Sequence, residues 1–148
     1  MTARVYRRPD AATGVGTYDP PRMLSDAELV AFIPTRDLGA AKTFYGSALG
    51  LPVVEESGFA VVFDVGGTQL RVTLVQELAP APFTVLGWRV PNIAERLGAL
   101  RSAGVLATRY EGMVQDEDGV WVAPGGTRVA WFKDPDGNTL SLQQDPAG

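Results

Sequence analysis

The sequence predicts an α+β fold built from two successive βαβββ units. In each half of the chain, a strand-like run precedes a segment with apolar residues at helical spacing, and shorter strand-like runs follow. The breaker Ala79–Pro82 separates the halves, and the tight turn Asp134–Gly137 joins the last two strand-like runs. We therefore expect modules at about residues 27–78 and 83–145, preceded by a flexible N-terminal arm at residues 1–26.

In the first module, Leu29–Ile33 is expected to form a strand that Pro34 ends or places at a sheet edge. Asp37 is expected to cap a helix that stops at Gly50, because apolar residues recur between them at helical spacing. Three further strands are predicted at Val53–Glu55, Phe59–Val65 and Gln69–Gln76.

The second module repeats this order and then departs from it. Phe83–Val90 is expected to be a strand, and Asn92 to cap a helix that ends near Gly104. Leu106–Tyr110 is a candidate strand, and a longer acidic connection follows it. The remaining strands are predicted at Gly119–Val122, Thr127–Lys133 and Asn138–Gln143.

Composition restricts the chemistry. The 148-residue chain has a net charge of -4 at pH 7, so nucleic acid is not an expected partner. It has no cysteine and no histidine, so the commonest general base and the commonest transition-metal ligands are missing. No stretch approaches the roughly 20 apolar residues of a membrane span, and no apolar run follows the N-terminal arginines. We expect a cytoplasmic protein with no membrane partner.

Two segments resemble the glyoxalase/bleomycin-resistance/dioxygenase family, the vicinal oxygen chelate superfamily. They are Val30–Leu51, with its Thr-Arg-Asp-Leu and Phe-Tyr motifs, and Phe132–Leu140, with Asp-Pro-Asp-Gly-Asn. The resemblance covers about residues 28–144. It implies that the two βαβββ modules form a curved, cup-like mixed sheet with the helices packed outside and a ligand inside. It also implies a homodimer, since many members dimerise and either chain can complete a cup.

Metal-dependent members of this family take four ligands, usually His and Glu, from the first and last strands of the two modules. Those positions here carry Val30, Thr73, Val85 and Ser141. Two aliphatic and two hydroxyl side chains cannot replace imidazoles and carboxylates around a divalent ion. The resemblance therefore implies a member with no metal and no cofactor.

Alternation along the strands predicts which side chains line the cup, with a one-residue slip as the main hazard. The expected lining combines apolar walls, hydroxyls and two arginines, which is typical of a pocket for a small organic molecule. An arginine inside the cup would favour a carboxylate or phosphate on the ligand; the commoner alternative is that both arginines reach solvent or pair with carboxylates. The predicted ligand-binding residues are Val30, Phe32, Arg71, Thr73, Val85, Arg89, Trp121, Thr139 and Ser141.

Other aromatic and acidic residues have simpler interpretations. Trp88 and Trp131 are expected in the core on the helix side of their strands. Trp121 is either a lid that stacks on a ligand or an anchor for a long loop, and the anchor is slightly preferred. Tyr45 is expected to pack in the core with its hydroxyl at the rim. Turn chemistry alone accounts for the carboxylates of Asp134–Gly137.

The function we expect is sequestration of a small molecule, such as an antibiotic or an aromatic or anionic metabolite, by a metal-free protein of this fold. One alternative is a glyoxalase-like or dioxygenase-like lyase, isomerase or oxygenase with an atypical site. It is either a lyase or dioxygenase whose metal ligands lie elsewhere, or a metal-independent isomerase or hydrolase that uses water with Asp64 or Glu77. The other is a regulatory dimer whose cup is filled by its own side chains.

Overall fold

The fold consists of two four-stranded mixed sheets, each with one helical segment, in a computed structural model that describes residues 21–147. Their orders are β1-β4-β3-β2 and β5-β8-β7-β6, and the first strand of each module runs parallel to the last. The predicted α+β class and two-module organisation are confirmed. The strands are β1 Val30–Thr35, β2 Val53–Glu56, β3 Ala60–Val65, β4 Thr68–Leu74, β5 Leu86–Arg89, β6 Trp121–Val122, β7 Arg128–Lys133 and β8 Thr139–Gln144.

The predicted N-terminal arm lies largely outside the described residues. Within its described part, residues 21–26, and up to β1, the chain contains no helix or strand. Pro34 lies inside β1, which is an edge strand, so its missing N–H leaves no pairing partner unsatisfied. No helix within residues 21–147 is long and apolar enough to cross a membrane.

The first helical segment starts as α1, Leu38–Ala41, and continues as a π-helix over Lys42–Ala48. Asp37 caps it, since its Oδ1 accepts from the Ala40 N–H at 3.0 Å. In the second module, α2 spans Ile93–Ser102 and is capped in the same way by Asn92. Both predicted N-caps are confirmed.

The segment between α2 and β6 differs from its prediction, because Leu106–Tyr110 forms no strand. The Gln115 side chain provides the hydrogen bonds that a neighbouring strand would otherwise supply. Its Oε1 accepts from the Tyr110 N–H, and its Nε2 donates to the carbonyls of Thr108 and Gly119. Polar side-chain contacts therefore hold this connection in an irregular path.

The strand register confirms the predicted faces of β4 and β8 and inverts that of β7. Trp131 lies opposite Ser141, whereas Phe132 lies opposite Leu140 and is buried. The expected core position of Trp131 is therefore wrong. Apolar residues occupy both faces of β7, so alternation could not choose between them. The packing does choose, because Phe132 stacks on Trp88 with ring centroids 6.3 Å apart.

One hydrophobic core joins the two modules. The helix-facing sides of both sheets contribute to a single cluster of buried side chains. The other side of each sheet, which we call the outer face, carries Phe32 and Arg71 in the first sheet and Trp131 and Ser141 in the second. The main contributors to the core are Ile33, Tyr45, Phe63, Leu70 and Val72 from the first module and Ile93, Leu97, Phe132, Leu140 and Leu142 from the second.

Candidate functional site: the outer faces of the two sheets

The predicted ligand-binding residues fall into two groups, one on each outer face. In the first sheet, Val30 and Phe32 lie on β1 while Arg71 and Thr73 lie on β4, and Phe32 is directly opposite Arg71. The Phe32 side chain is 63% exposed, which is unusual for an aromatic residue on a strand. The first outer face thus presents an apolar edge next to a cation.

Val30 and Thr73 are not brought together, although both occupy positions where the family's metal ligands were expected. Val30 pairs with Gln69 and Thr73 pairs with Pro34, so four strand positions separate them. At about 3.3 Å per residue, that is about 13 Å. Within residues 21–147, no three His, Cys, Asp or Glu side chains cluster as metal ligands would. These donors do not fit a transition metal.

The two arginines have different environments. Arg89 Nε lies 3.1 Å from Asp145 Oδ2, and its side chain is 68% exposed, so it behaves as a solvated surface pair. Arg71 is partly buried and forms no ion pair with any other residue in the described range 21–147. Close to it on β4, the buried Oγ1 of Thr73 has no hydrogen-bond partner within the same range. The guanidinium of Arg71 can therefore still bind an external anionic group, whereas the Thr73 hydroxyl is enclosed by the protein.

In the second sheet, both hydroxyl residues of the predicted site are buried. Ser141 lies opposite Gly87, where a Cβ would be 2.8 Å from Ser141 Oγ. A glycine is therefore required for the serine side chain to keep its position. Thr139 is 1% exposed, because the linker covers it and the Ala81 carbonyl accepts its hydroxyl at 3.3 Å. Val85, by contrast, is exposed.

An aromatic cluster on the second outer face was missed by the sequence interpretation. Tyr110 meets Trp131 edge to face with centroids 5.5 Å apart, and Trp121 lies 6.1 Å from Trp131. The Trp131 Nε1–H donates to Thr84 Oγ1 at 3.2 Å, which fixes the ring orientation. All three rings are partly exposed. Trp121 thus anchors its segment and also presents an aromatic wall to the outer face.

The closing turn Asp134–Gly137 joins the two modules through its carboxylates. The sequence explained these carboxylates by local turn preferences and did not predict the contacts between modules. The expected core packing of Tyr45 is confirmed, but its hydroxyl donates to Asp134 Oδ2 at 2.7 Å in the interior, so the expected position of the hydroxyl at the rim is wrong. Asp136 accepts from Thr35 Oγ1 and from the Arg36 N–H. Burial raises the pKa of Tyr45 well above its ordinary value, and the adjacent Asp134 carboxylate adds to that increase. The hydroxyl therefore stays protonated and remains a donor.

Asp64 and Glu77, the two candidate general bases, belong to neither group of predicted ligand-binding residues. Asp64 accepts from the Gly67 N–H at 3.2 Å within the β3–β4 turn. Glu77 follows β4 and is exposed. Nothing at either position resembles a base held next to a reacting atom.

Two pockets lie away from the outer faces. One, of about 400 Å³, lies between the modules beside Trp88 and Phe132. The other, of about 680 Å³, is more open and lies between the first helical segment and residues 103–108. Neither is lined by any of the nine predicted ligand-binding residues.

Comparison with known proteins identifies the family. The model of the Glyoxalase/Bleomycin resistance protein/Dioxygenase superfamily matches residues 28–142. The chain belongs to this superfamily. Among curated proteins, no sequence matches it.

Solved structures of this superfamily share its fold. A glyoxalase family protein from Bacillus anthracis is 16% identical with a TM-score of 0.66, covering 84% of this chain and 99% of its own. A bleomycin resistance determinant encoded on transposon Tn5 is 23% identical with a TM-score of 0.64, covering 81% and 98%. A fosfomycin resistance protein from Listeria monocytogenes is 14% identical with a TM-score of 0.61, covering 78% and 90%. At these identities the likeness concerns the fold alone.

Proposed function

We propose that this superfamily member is a metal-free homodimer that binds a small aromatic molecule carrying an anionic group. The observation that carries the proposal is the pair of outer faces, one with an exposed phenylalanine beside Arg71 and the other with three clustered aromatic rings. Apolar walls with a few polar groups suit a small organic ligand. The resistance proteins of similar fold make an antibiotic a reasonable ligand class.

The dimer follows from the exposure of both faces. The two groups of predicted residues lie on sheets that share no strand pairing, so neither sheet alone forms an enclosed cup. Phe32 and Val85 are 63% and 42% exposed in a single chain, which is costly for large apolar side chains unless something covers them. A second copy that places the first module of one chain against the second module of the other would cover both faces.

The ligand chemistry follows from the donors. Trp121, Trp131 and Tyr110 offer ring faces and edges for stacking. Arg71, which has no ion-pair partner within residues 21–147, offers a guanidinium for a carboxylate or phosphate. Metal chemistry is not proposed, because the donors at Val30, Thr73, Val85 and Ser141 do not suit a transition metal.

The anion-binding role of Arg71 can be tested with aromatic carboxylic acids and their methyl esters, using thermal shift to select ligands and calorimetry to measure affinity. We expect Arg71→Gln to weaken acid binding about tenfold to a hundredfold, the equivalent of losing one charged hydrogen bond, and to leave the ester unaffected. Arg89→Gln is the matched control, because Arg89 already pairs with Asp145 in solvent. Equal losses in both variants would contradict the proposed role of Arg71.

The dimer and the absence of metal need separate measurements. Light scattering after size-exclusion chromatography should give a dimer for the wild-type protein and a monomer for Phe32→Glu. Leu106→Glu is the control, since Leu106 is equally exposed but lies beside the more open pocket, away from both outer faces. A monomeric wild-type protein would refute the dimer. Stoichiometric zinc, nickel, manganese or iron in protein purified without chelator would refute the metal-free assignment.

A further inference from the structure

Lys133 is a cation on the second outer face and is not among the predicted ligand-binding residues. It lies two residues after Trp131 on β7 and opposite Thr139 of β8, so its side chain shares the face of the aromatic cluster. At about 3.3 Å per residue, the backbones of Lys133 and Trp131 are about 7 Å apart. The second outer face therefore presents a positive charge beside its three aromatic rings.

A short chain of hydrogen bonds holds the ammonium of Lys133 in place. Its Nζ donates to Thr139 Oγ1, and the Thr139 hydroxyl in turn donates to the carbonyl of Ala81. Because Thr139 is buried, this acceptor cannot turn away into solvent. An ammonium has three donors, and the hydrogen bonds within residues 21–147 use one of them. Two donors of Lys133 therefore remain for a ligand.

Neither Lys133 nor Arg71 has an acidic partner in the part of the chain that the structure describes. On the first outer face, Glu55 lies in the same row as Arg71 but two strands away, which is about 10 Å across the sheet. Asp64 shares that face, and its carboxylate accepts from the Gly67 N–H instead. Each outer face thus keeps one cation that no carboxylate between residues 21 and 147 contacts.

In the proposed dimer, one chain contributes Arg71 and the other contributes Lys133 to the same cup. A ligand that covers a charged side chain removes its hydration, which costs free energy unless an opposite charge replaces the water. A ligand with one anionic group would neutralise one of the two cations and leave the other covered and unpaired. Two anionic groups on the ligand would avoid this cost.

We propose that the ligand carries two anionic groups on an aromatic body, one bound by Arg71 and the other by Lys133, an inference that rests on the proposed function. The aromatic body stacks on Trp121 and Trp131, beside which Lys133 lies. Lys133 is then the residue that selects ligands with two anionic groups over ligands with one.

The test uses benzene-1,4-dicarboxylate and naphthalene-2,6-dicarboxylate, whose carboxylates lie at two different separations, and the monomethyl ester of each. By calorimetry, at least one dicarboxylate should bind the wild-type protein about tenfold or more tightly than its own monoester, the equivalent of one further charged hydrogen bond. In Lys133→Gln, that dicarboxylate should bind only as tightly as its monoester. Lys133→Arg keeps the charge and should keep the preference.

Arg128→Gln is the matched control, because Arg128 is an exposed cation of the same strand whose side chain lies on the opposite face, and this variant should keep the full preference. Equal affinity of the wild type for each dicarboxylate and its monoester would overturn the inference. A preference that survives Lys133→Gln, or that Arg128→Gln removes equally, would also overturn it. If Arg71→Gln still weakens the monoesters in any of these cases, the proposed function stands without the inference. If no aromatic acid binds at all, the proposed function fails and the inference fails with it.

Discussion

Replacing Tyr45 by phenylalanine should destabilise the protein by about 2 kcal/mol, because it removes one hydrogen bond to a buried carboxylate. The Tyr45 hydroxyl donates to Asp134 at 2.7 Å, and both residues are buried. Phenylalanine keeps the ring, so no cavity forms. Asp134 also keeps three other donors, the N–H groups of Asp136 and Asn138 and the Asn138 side-chain amide. The cost should therefore stay below the roughly 3 to 5 kcal/mol of an abandoned buried charge.

Urea unfolding followed by far-ultraviolet circular dichroism measures this free energy, and thermal unfolding should show a decrease in Tm of roughly 6 °C. Tyr110→Phe is the matched control. The Tyr110 ring is partly buried against Trp131, but its hydroxyl donates to no residue between 21 and 147. Its removal should cost less than about 0.5 kcal/mol. If the two variants are equally stable, the bond between Tyr45 and Asp134 does not join the modules as we argue.

Three further predictions concern stability. Because burial raises the pKa of Tyr45, the folded protein keeps a proton that the unfolded chain releases above pH 10.0. The free energy of unfolding of the wild type should therefore exceed that of Tyr45→Phe by its full amount below pH 10.0. Above that pH the difference should fall by up to about 1.4 kcal/mol per pH unit, as measured by urea titrations. Gly119→Ala should cost about 3 kcal/mol or more by calorimetry, since the residue has φ 90° and its Cβ would lie 2.6 Å from that of Ala107. Gly112→Ala, with φ 78° and open space around it, should cost only about 1 kcal/mol, and a reversed order would contradict the steric argument. Asp37→Ala should cost about 1 kcal/mol through the lost cap, and an unchanged urea midpoint would show that the cap contributes nothing.

Much of the fold could be predicted because its signals are local. The caps Asp37 and Asn92 and the closing turn Asp134–Gly137 each follow from a few adjacent residues, and each appears where it was expected. The face of β7 could not be predicted in the same way. Trp131 and Phe132 are both large and apolar, so burial alone favours neither, and the pairing of β7 with β8 decides the outcome.

The candidate site was only partly predictable for a related reason. Alternation correctly placed Phe32 and Arg71 on one face of the first sheet. The contact of Asp136 with Thr35 joins residues that are 101 positions apart, and no local pattern indicates it. The aromatic cluster escaped notice because Tyr110 lies in a segment interpreted as a strand, whereas side-chain contacts from Gln115 hold it in place.

The closing turn also determines whether one module can exist without the other. Asp134 and Asp136 belong to the second module, but their partners Tyr45, Thr35 and Arg36 belong to the first. A single βαβββ unit expressed alone would expose its half of the core and lose these partners. Cleavage in the linker Ala79–Pro82 should instead yield complementary fragments that regain structure only when mixed, so the smallest unit capable of folding is the complete repeat pair.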